Sequence, residues 1–217
     1  MSSAGLPFDR EQRLWAQGFS RVAGVDEAGR GCLAGPVVAA ACILPAGCDP
    51  LEGVRDSKLT KRSERSALAQ MIRERALSVG IAAASRREVD RLNIRVASVL
   101  AMRRALTRAG IWNYALIDGP LPPEFAHDPA EGIIDGDALC VSIACASILA
   151  KTLRDDLMAK LALRHPQYGW ERNAGYGTAA HREALLEHGP TRHHRQSFRP
   201  VSQLSLPLPP SGNGGRS

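Results

Sequence analysis

The sequence predicts an α/β protein, and two observations carry that prediction. Short runs of small apolar residues, which suit buried strands, alternate with longer stretches in which apolar residues recur at helical spacing. Three of the strand-like runs also follow one another closely within the first 84 residues. Such short connections favour neighbouring antiparallel strands over βαβ crossovers.

The first half of the chain begins with a helical extension. Residues 1–20 are typical of a short helix, in which Leu14, Trp15 and Phe19 are expected to dock on the rest of the protein. A second helix is predicted to begin near Lys61. Strands are predicted over residues 21–26, 36–44 and 77–84. We therefore expect a single folded domain to begin at residue 21.

The second half contains two stronger helix signals. Helical spacing predicts one helix over residues 86–108 and another from Ser142 until just before Pro166. Short strands are predicted over residues 114–117 and 132–134. Residues 164–200 hold six arginines and five of the six histidines, which predicts a basic C-terminal segment. Residues 202–217 are rich in Pro, Gly and Ser and are expected to form a flexible tail, so the domain is expected to end at residue 201.

Composition excludes several classes of protein. Of the 217 residues, 44% are hydrophobic and 23% are charged, which argues against a fibre, a wholly disordered chain and a membrane protein. The net charge of +6 favours a polyanionic partner, and nucleic acid is the expected one. The five cysteines form no C-x-x-C pair, and no secretory signal is evident at the N-terminus. These features predict free thiols and a cytoplasmic protein.

Acidic residues follow several of the predicted strands. Asp26 and Glu27 end the first, Asp118 follows the strand at 114–117, and Asp135 and Asp137 follow the strand at 132–134. Carboxylates gathered at one end of a sheet repel one another, and a divalent cation is the simplest way to keep them ionised together. Oxygen ligands favour Mg²⁺ or Mn²⁺, and two such ions about 4 Å apart can activate a water and stabilise the leaving oxygen of a phosphodiester. A basic protein with such a cluster is interpreted as a nuclease.

Two other interpretations compete for the same segment. Asp26 and Glu27, followed by glycines, can be simply a polar strand end with a turn. Residues 29–34 also match the G-x-G-x-x-A form of the dinucleotide-binding fingerprint. In that fold the glycines open a helix, whereas here they precede Gly35, Pro36 and a strand-like run, and acids occupy the turn.

With these residues noted, the chain strongly resembles bacterial ribonuclease HII, the type 2 ribonuclease H, over residues 21–201. The segments that carry the resemblance occur in the family's order. They are GVDEAGRG (24–31), GPVVAAA (35–41), DSKLT (56–60), LNI (92–94), IDG (117–119), GD (136–137), SIACASILAKTLRD (142–155), HPQYGWERNAGYGT (165–178) and HRQSF (194–198).

The resemblance implies a ribonuclease H-like mixed sheet flanked by helices, with a C-terminal helical segment. It also implies that two Mg²⁺ or Mn²⁺ ions are held by the carboxylates of Asp26, Glu27, Asp118 and Asp137. The implied activity is hydrolysis of RNA in RNA·DNA hybrids and cleavage on the 5′ side of ribonucleotides embedded in duplex DNA. That cleavage leaves a 3′-hydroxyl and a 5′-phosphate.

The resemblance also supplies residues for recognising the substrate. Gly29, Arg30 and Gly31 match a backbone clamp around the ribose that carries the 2′-hydroxyl, and Tyr176 matches a tyrosine that packs on the next sugar. Lys58 matches a phosphate-contacting lysine, although the same segment can equally provide an N-cap for the helix near Lys61. Without the motif, Tyr176 is interpreted as an ordinary buried tyrosine.

Several weaker expectations complete this set. Ser142 and Asn93 are expected to support the backbone track or a helix start. The histidines meet no zinc spacing, so they are expected to be solvated or at helix ends, partly cationic near the nucleic acid. Asp135 stands where the family usually has a lysine, which brings an extra negative charge close to the metal ligands. Ala174 likewise replaces a common lysine, and Cys145 a usual alanine.

The tail resembles a short peptide by which bacterial DNA enzymes dock on the sliding clamp. Residues 203–208 read QLSLPL, and the resemblance assigns Gln203, Leu204, Leu206 and Leu208 as anchors. The alternative is a merely Pro-rich end. We expect the enzyme to be a monomer that acts on hybrids and on ribonucleotide-containing DNA. A junction resolvase, a type 1 ribonuclease H and a non-catalytic nucleic-acid-binding module are the competing functions.

Overall fold

The computed structural model describes residues 6, 8–49, 51–54 and 60–204. Its centre is a five-stranded sheet in the order β3-β2-β1-β4-β5. The strands are β1 (Val22–Ala28), β2 (Val37–Ile43), β3 (Ser78–Ala84), β4 (Tyr114–Asp118) and β5 (Ala130–Ile133).

The sheet is mixed, as the resemblance implies. Strands β1, β2 and β3 pair antiparallel, which confirms the prediction drawn from their short connections. Strand β4 pairs parallel to β1, and β5 pairs parallel to β4. Because β1 and β4 run in the same direction, the acids at their carboxyl ends lie at the same edge of the sheet.

Two strand boundaries differ from the prediction by two residues, and the other boundaries agree to within one residue. Strand β1 continues through Glu27 and Ala28, because β2 pairs with both of them opposite Ala39 and Val38. Strand β5 begins two residues earlier than expected, because β4 pairs with it from Ala130 onward. Pairing partners, which local patterns do not reveal, set both limits.

Helices cover both faces of the sheet. They are α1 (Asp9–Ala16), α2 (Arg62–Arg75), α3 (Arg86–Ala109), α4 (Gly136–Leu139), α5 (Val141–Ala162), α6 (Trp170–Asn173), α7 (Ala179–His188) and α8 (Val201–Leu204). Helix α3 packs on one face, and α5 packs on the other together with α1 and α2. Helix α5 lies so close to β1 that a Cβ at Gly24 would come within 2.1 Å of the Ser142 carbonyl carbon.

The two long helices begin with well-defined side-chain contacts. Ser85 caps α3 in a capping box with Glu88. Within α3, Asn93 leaves helical geometry at φ 65° and accepts a hydrogen bond from the Val96 amide, so it restarts the helix there. Helix α1 contributes Glu11, whose Oε1 accepts bonds from the Ser142 amide and hydroxyl at the start of α5. Of the two roles expected for Asn93 and Ser142, support of a helix start is thus confirmed, and support of the backbone track stays a prediction.

The docking residues of α1 are where the sequence predicts them. Leu14 is buried against Val22, Leu116 and Ile143, and Trp15 and Phe19 pack around that cluster. Within the described residues, no helix is both long and apolar enough to cross a membrane.

Candidate active site

Three of the predicted acids meet at the carboxyl ends of β1 and β4. Asp26 and Glu27 precede the last residue of β1, and Asp118 ends β4. Asp26 is 6% exposed, and Glu27 and Asp118 are half-buried. Asp26 and Glu27 are adjacent in the strand, so their side chains point to opposite faces. Because both residues lie near the end of the strand, they can still contribute to one site.

The electrostatics of this group reflect its crowding. Burial raises the pKa of Asp26 well above its usual range, and the charges of Glu27 and Asp118 raise it further. Hydrogen bonds from Ser147 and from the Glu27 amide, the latter at 2.6 Å, act in the opposite direction. Burial also raises the pKa of Glu27, although Arg30 lies 3.1 Å away and opposes that rise.

The fourth acid comes from the segment after β5. Asp118 Oδ1 accepts a hydrogen bond of 2.8 Å from the Gly136 amide. Asp137 is the next residue, in the first turn of α4, and is only 5% exposed. Asp135 adopts a left-handed conformation at φ 54° just before that turn, with its side chain exposed. The connection from β4 to α4 therefore brings the main chain that precedes Asp137 into contact with Asp118.

The donor atoms of this group suit a hard divalent cation. All four side chains offer carboxylate oxygens, and the mutual repulsion felt by Asp26 is the kind that a cation relieves. Among the described residues, no three His, Cys, Asp or Glu side chains are already gathered as a complete metal site. The acids thus fit a metal by their chemistry, whereas completing the coordination requires further oxygens or closer approach of the side chains.

A cleft opens beside the acids on the side of α3. It has a volume of about 330 Å³. Glu27, Arg30 and Asp118 line its mouth, and Val99 and Met102 form part of its apolar wall. Ser98, also in the wall, is buried. Glu27 and Asp118 therefore face a cleft and are accessible to a ligand.

The 29–31 loop and the tyrosine segment meet at this same edge. Cys32 and Tyr176 form an isolated antiparallel bridge, and the Leu33 amide donates to the Gly175 carbonyl at 2.8 Å. Tyr176 is 41% exposed, so it is not an ordinary core tyrosine. The segments that the resemblance assigns to sugar recognition are thus adjacent although 145 residues separate them in the chain.

Helix α5 adds polar groups that the sequence reasoning did not single out. Ser147 hydrogen-bonds to Asp26. One turn later the Lys151 ammonium lies 5.5 Å from the centre of the Tyr176 ring and 2.7 Å from Asp155. The signal was the four-residue spacing of polar residues in an otherwise apolar helix, because residues i and i+4 share a helix face.

The remaining predicted residues lie away from this group or fall outside the described residues. Lys58 falls outside the described residues, so its place is not observed. Gln203 and Leu204 are exposed in α8, whereas Leu206 and Leu208 lie outside the described part of the chain.

The expectation for the histidines is wrong at two positions. His181 and His194 are fully buried, and desolvation lowers the pKa of both, that of His194 to about 3. Trp170 and Tyr168 pack around them, so these rings are neutral core residues. His188 ends α7 as expected.

Comparison with known proteins agrees with this arrangement. A model of the family described as Ribonuclease HII matches residues 23–201. A ribonuclease HII from Thermosynechococcus vestitus is 56% identical over 188 residues, which cover 87% of this chain and 88% of that protein.

Solved structures share the fold. A chain of the PCNA:RNase HII complex from Archaeoglobus fulgidus aligns with a TM-score of 0.69 at 24% identity, covering 86% of this chain and 98% of that one. Bst-RNase HIII in complex with Mn²⁺ aligns with a TM-score of 0.65 at 18% identity, covering 90% of this chain and 73% of that one. The mixed sheet flanked by helices is therefore the ribonuclease H fold.

The family match spans most of the chain and includes every element that contributes an acid to the site. A relative that is more than half identical over nearly its whole length supports the same assignment. The chain therefore belongs to the ribonuclease HII family, whose members are metal-dependent endonucleases that hydrolyse RNA in RNA·DNA hybrids.

Proposed function

We propose that this chain cleaves on the 5′ side of ribonucleotides, both in RNA·DNA hybrids and at single positions in duplex DNA, leaving a 3′-hydroxyl and a 5′-phosphate. One observation carries the proposal. The parallel pairing of β1 and β4 gathers Asp26, Glu27 and Asp118 at the edge where the 29–31 loop meets Tyr176. Acids suited to phosphodiester hydrolysis therefore adjoin groups suited to sensing a sugar.

Asp26, Glu27, Asp118 and Asp137 are the proposed ligands of two Mg²⁺ or Mn²⁺ ions. When bound, such ions supply an activated water and stabilise the charge on the phosphodiester oxygens. Ser147 and the Glu27 amide orient Asp26, and the Gly136 amide orients Asp118. These hydrogen bonds hold the carboxylate oxygens toward the sheet edge.

Selection of the ribonucleotide is assigned to the backbone of the 29–31 loop and to Tyr176. Arg30 and Gly31 are exposed, and no group in the described residues accepts a hydrogen bond from their amides. These amides are donors available to a 2′-hydroxyl, the group that distinguishes RNA from DNA. The exposed Tyr176 ring offers a flat surface for the adjoining sugar.

The test uses a DNA duplex with one ribonucleotide and an all-DNA duplex of the same sequence. We expect cleavage immediately 5′ of the ribonucleotide with Mg²⁺ or Mn²⁺, no cleavage with EDTA, and none of the all-DNA duplex. Cleavage of a continuous hybrid without cleavage at a single ribonucleotide would instead indicate a type 1 activity. Binding without metal-dependent cleavage would indicate a nucleic-acid-binding module.

We also propose that the tail docks on the sliding clamp through Gln203, Leu204, Leu206 and Leu208. Two observations favour this. Gln203 and Leu204 are exposed at the end of the described chain, and an archaeal relative of the same fold is found in a complex with PCNA. A short apolar peptide of this kind binds by burying its leucines in a groove.

The clamp proposal is tested by removing residues 202–217. We expect clamp binding to be lost in a pull-down or titration, while cleavage of a free short duplex is unchanged. The double variant L206A/L208A is the matched control that keeps the length of the tail. Clamp binding that survives the truncation would disprove the proposal.

A further inference from the structure

Two arginines are fully buried beneath the site. Arg154 in α5 and Arg195 after α7 are both 0% exposed. Within the described residues, neither guanidinium has a carboxylate within ion-pair distance. A buried charge without a counter-ion is costly, so its hydrogen bonds must compensate for lost hydration.

Arg195 binds the inner side of the 29–31 loop. Its two terminal nitrogens donate to the carbonyls of Gly29 and Arg30, both at 2.7 Å, and its Nε donates to the Gly35 carbonyl at 3.1 Å. Burial lowers the pKa of Arg195 to about 10, so the guanidinium remains charged at neutral pH. A rigid charged fork thus holds two consecutive carbonyls of the loop.

Arg154 joins the segment that follows this loop to the tyrosine segment. Its Nη1 donates to the Ala174 carbonyl at 2.8 Å, and its other nitrogens donate to the carbonyls of Ala34 and Pro36 at 3.3 and 3.2 Å. Arg154 Cζ lies 5.7 Å from the centre of the Tyr176 ring. One side chain therefore ties the residues just after the loop to the segment that carries Tyr176.

Gly29 is the point at which Arg154 and the loop come closest. Its φ is +96°, and a Cβ there would lie 1.9 Å from Arg154 Nε. The loop thus lies directly against the guanidinium, which only glycine permits. Arg195 holds the carbonyls of Gly29 and Arg30 inward, and no atom of the described residues accepts a hydrogen bond from the exposed amides of Arg30 and Gly31.

We propose that Arg154 and Arg195 are positioning residues for ribonucleotide selection, which they achieve by binding the carbonyls of the 29–31 loop and of Ala174. Their function is to present the loop amides and Tyr176 in one fixed arrangement toward a 2′-hydroxyl. This inference rests on the proposed function. Neither arginine contacts the substrate.

The test replaces each arginine by lysine, which keeps the charge and removes the fork. We measure kcat/KM on the duplex with one ribonucleotide and Kd on the all-DNA duplex. R195K loses charge-assisted hydrogen bonds to the loop, and R154K loses those that tie Ala174 to the residues after the loop. We therefore expect each variant to lower kcat/KM by about tenfold or more. Kd for all-DNA is expected to stay within about twofold, because the basic surface is unchanged.

The control is R108K. Arg108, near the end of α3, also donates to a main-chain carbonyl, that of Ile81 at 2.6 Å, but Ile81 lies in β3, which carries none of the site residues. We expect kcat/KM of this variant on the ribonucleotide duplex to stay within about twofold of the wild-type value. Circular dichroism and Tm confirm that each variant is folded. Folded R195K and R154K with unchanged kcat/KM, or with cleavage and DNA binding lost in parallel, would overturn the inference.

A second measurement uses the wild-type protein and so does not depend on variant folding. Amide hydrogen exchange at Arg30 and Gly31 is expected to slow when the ribonucleotide duplex is added and much less with the all-DNA duplex. Equal slowing by both duplexes would refute the inference. The proposed function fails separately, if the wild-type enzyme does not cleave at the ribonucleotide at all.

Discussion

At the scale of single residues, Asp26 shows that grouping acids in the site lowers the stability of the folded protein. Its carboxylate is buried next to Glu27 and Asp118, and its pKa is higher in the folded protein than in the unfolded chain. The folded state therefore binds its proton more tightly, so stability is lost as pH rises from the unfolded value through the raised folded value. At neutral pH and without metal, the burial of Asp26 therefore lowers the stability of the fold relative to low pH.

Replacing Asp26 by asparagine is therefore expected to stabilise the metal-free protein. We expect D26N to raise Tm in EDTA at pH 7.5 by roughly 2 °C or more, because the buried charge and its repulsion are gone. Cleavage is expected to be lost in the same variant. D49N is the control, since the Asp49 side chain is 93% exposed. A lower Tm for D26N than for wild type would contradict this account.

At Asp118, a substitution is expected to reduce catalysis without affecting folding. Its Oδ1 accepts from the Gly136 amide, a bond that asparagine can also accept. We expect D118N to remain folded with near-native Tm and to lose about 10³-fold or more in kcat, which corresponds to about 4 kcal/mol of transition-state stabilisation. Gel-based cleavage of the ribonucleotide duplex measures the loss. Activity within a few fold of wild type would remove Asp118 from the metal-binding group.

At the scale of elements, α7 and the segment after it are joined by a chain of neutral side chains. The Thr191 amide donates to His194 Nδ1 at 2.9 Å, so the proton of His194 is on Nε2, which donates to His181 Nε2 at 3.0 Å. Trp170 Nε1 donates to that same atom, so His181 carries its proton on Nδ1 and donates to the Tyr176 carbonyl at 2.8 Å. Both tautomers are fixed, and a further proton on either ring would set two donors against each other.

This series of hydrogen bonds between neutral side chains predicts that the free energy of unfolding falls in mild acid. The pKa of His194 is lowered to about 3, so the unfolded state binds the extra proton first as pH falls. We expect His194 alone to cost about 2 kcal/mol of unfolding free energy between pH 7.5 and 5, and His181 to add to that cost. Urea denaturation across this range measures the fall.

The matched control for this pH dependence is H188Q, which removes a histidine at the exposed end of α7. We expect H188Q to keep the fall in stability. NMR can follow the His194 ring directly between pH 5 and 7.5. If the ring takes up a second proton in the folded protein over this range, the account of the fixed tautomers is contradicted.

At the scale of the whole molecule, the positive charge predicts how the protein meets its substrate. With 28 Lys and Arg against 22 Asp and Glu, the chain carries a net charge of +6 at pH 7. Phosphate contacts by basic residues release counterions, so we expect Kd for duplex DNA to rise by at least about tenfold between 50 and 200 mM KCl. Fluorescence anisotropy measures this, and the rate at saturating substrate should change far less. A Kd that does not depend on salt would contradict binding through the basic surface.

Much of the fold could be predicted because local signals were clear. The strands, both long helices and the antiparallel pairing of β2 with β1 and with β3 follow from apolar periodicity and close succession in the chain. The acids were identifiable because Asp26, Glu27 and Asp118 fall where apolar runs end. The ends of β1 and β5 were missed because strand partners, and not local composition, set them.

The amino-acid sequence by itself determined the family and the order of the five strands and two long helices, and it singled out four acids as candidate metal ligands. Only the tertiary structure decided that Arg154, Arg195, His181 and His194 are buried, since the last three fall in the segment whose composition predicts a basic surface. For the two arginines the physical reason is that burial depends on contacts with segments more than a hundred residues away in the chain, such as Arg195 with the Gly29 carbonyl and Arg154 with the Ala34 carbonyl. Local composition carries no information about such partners, and the cost of desolvating a charge is met only once those carbonyls are in place.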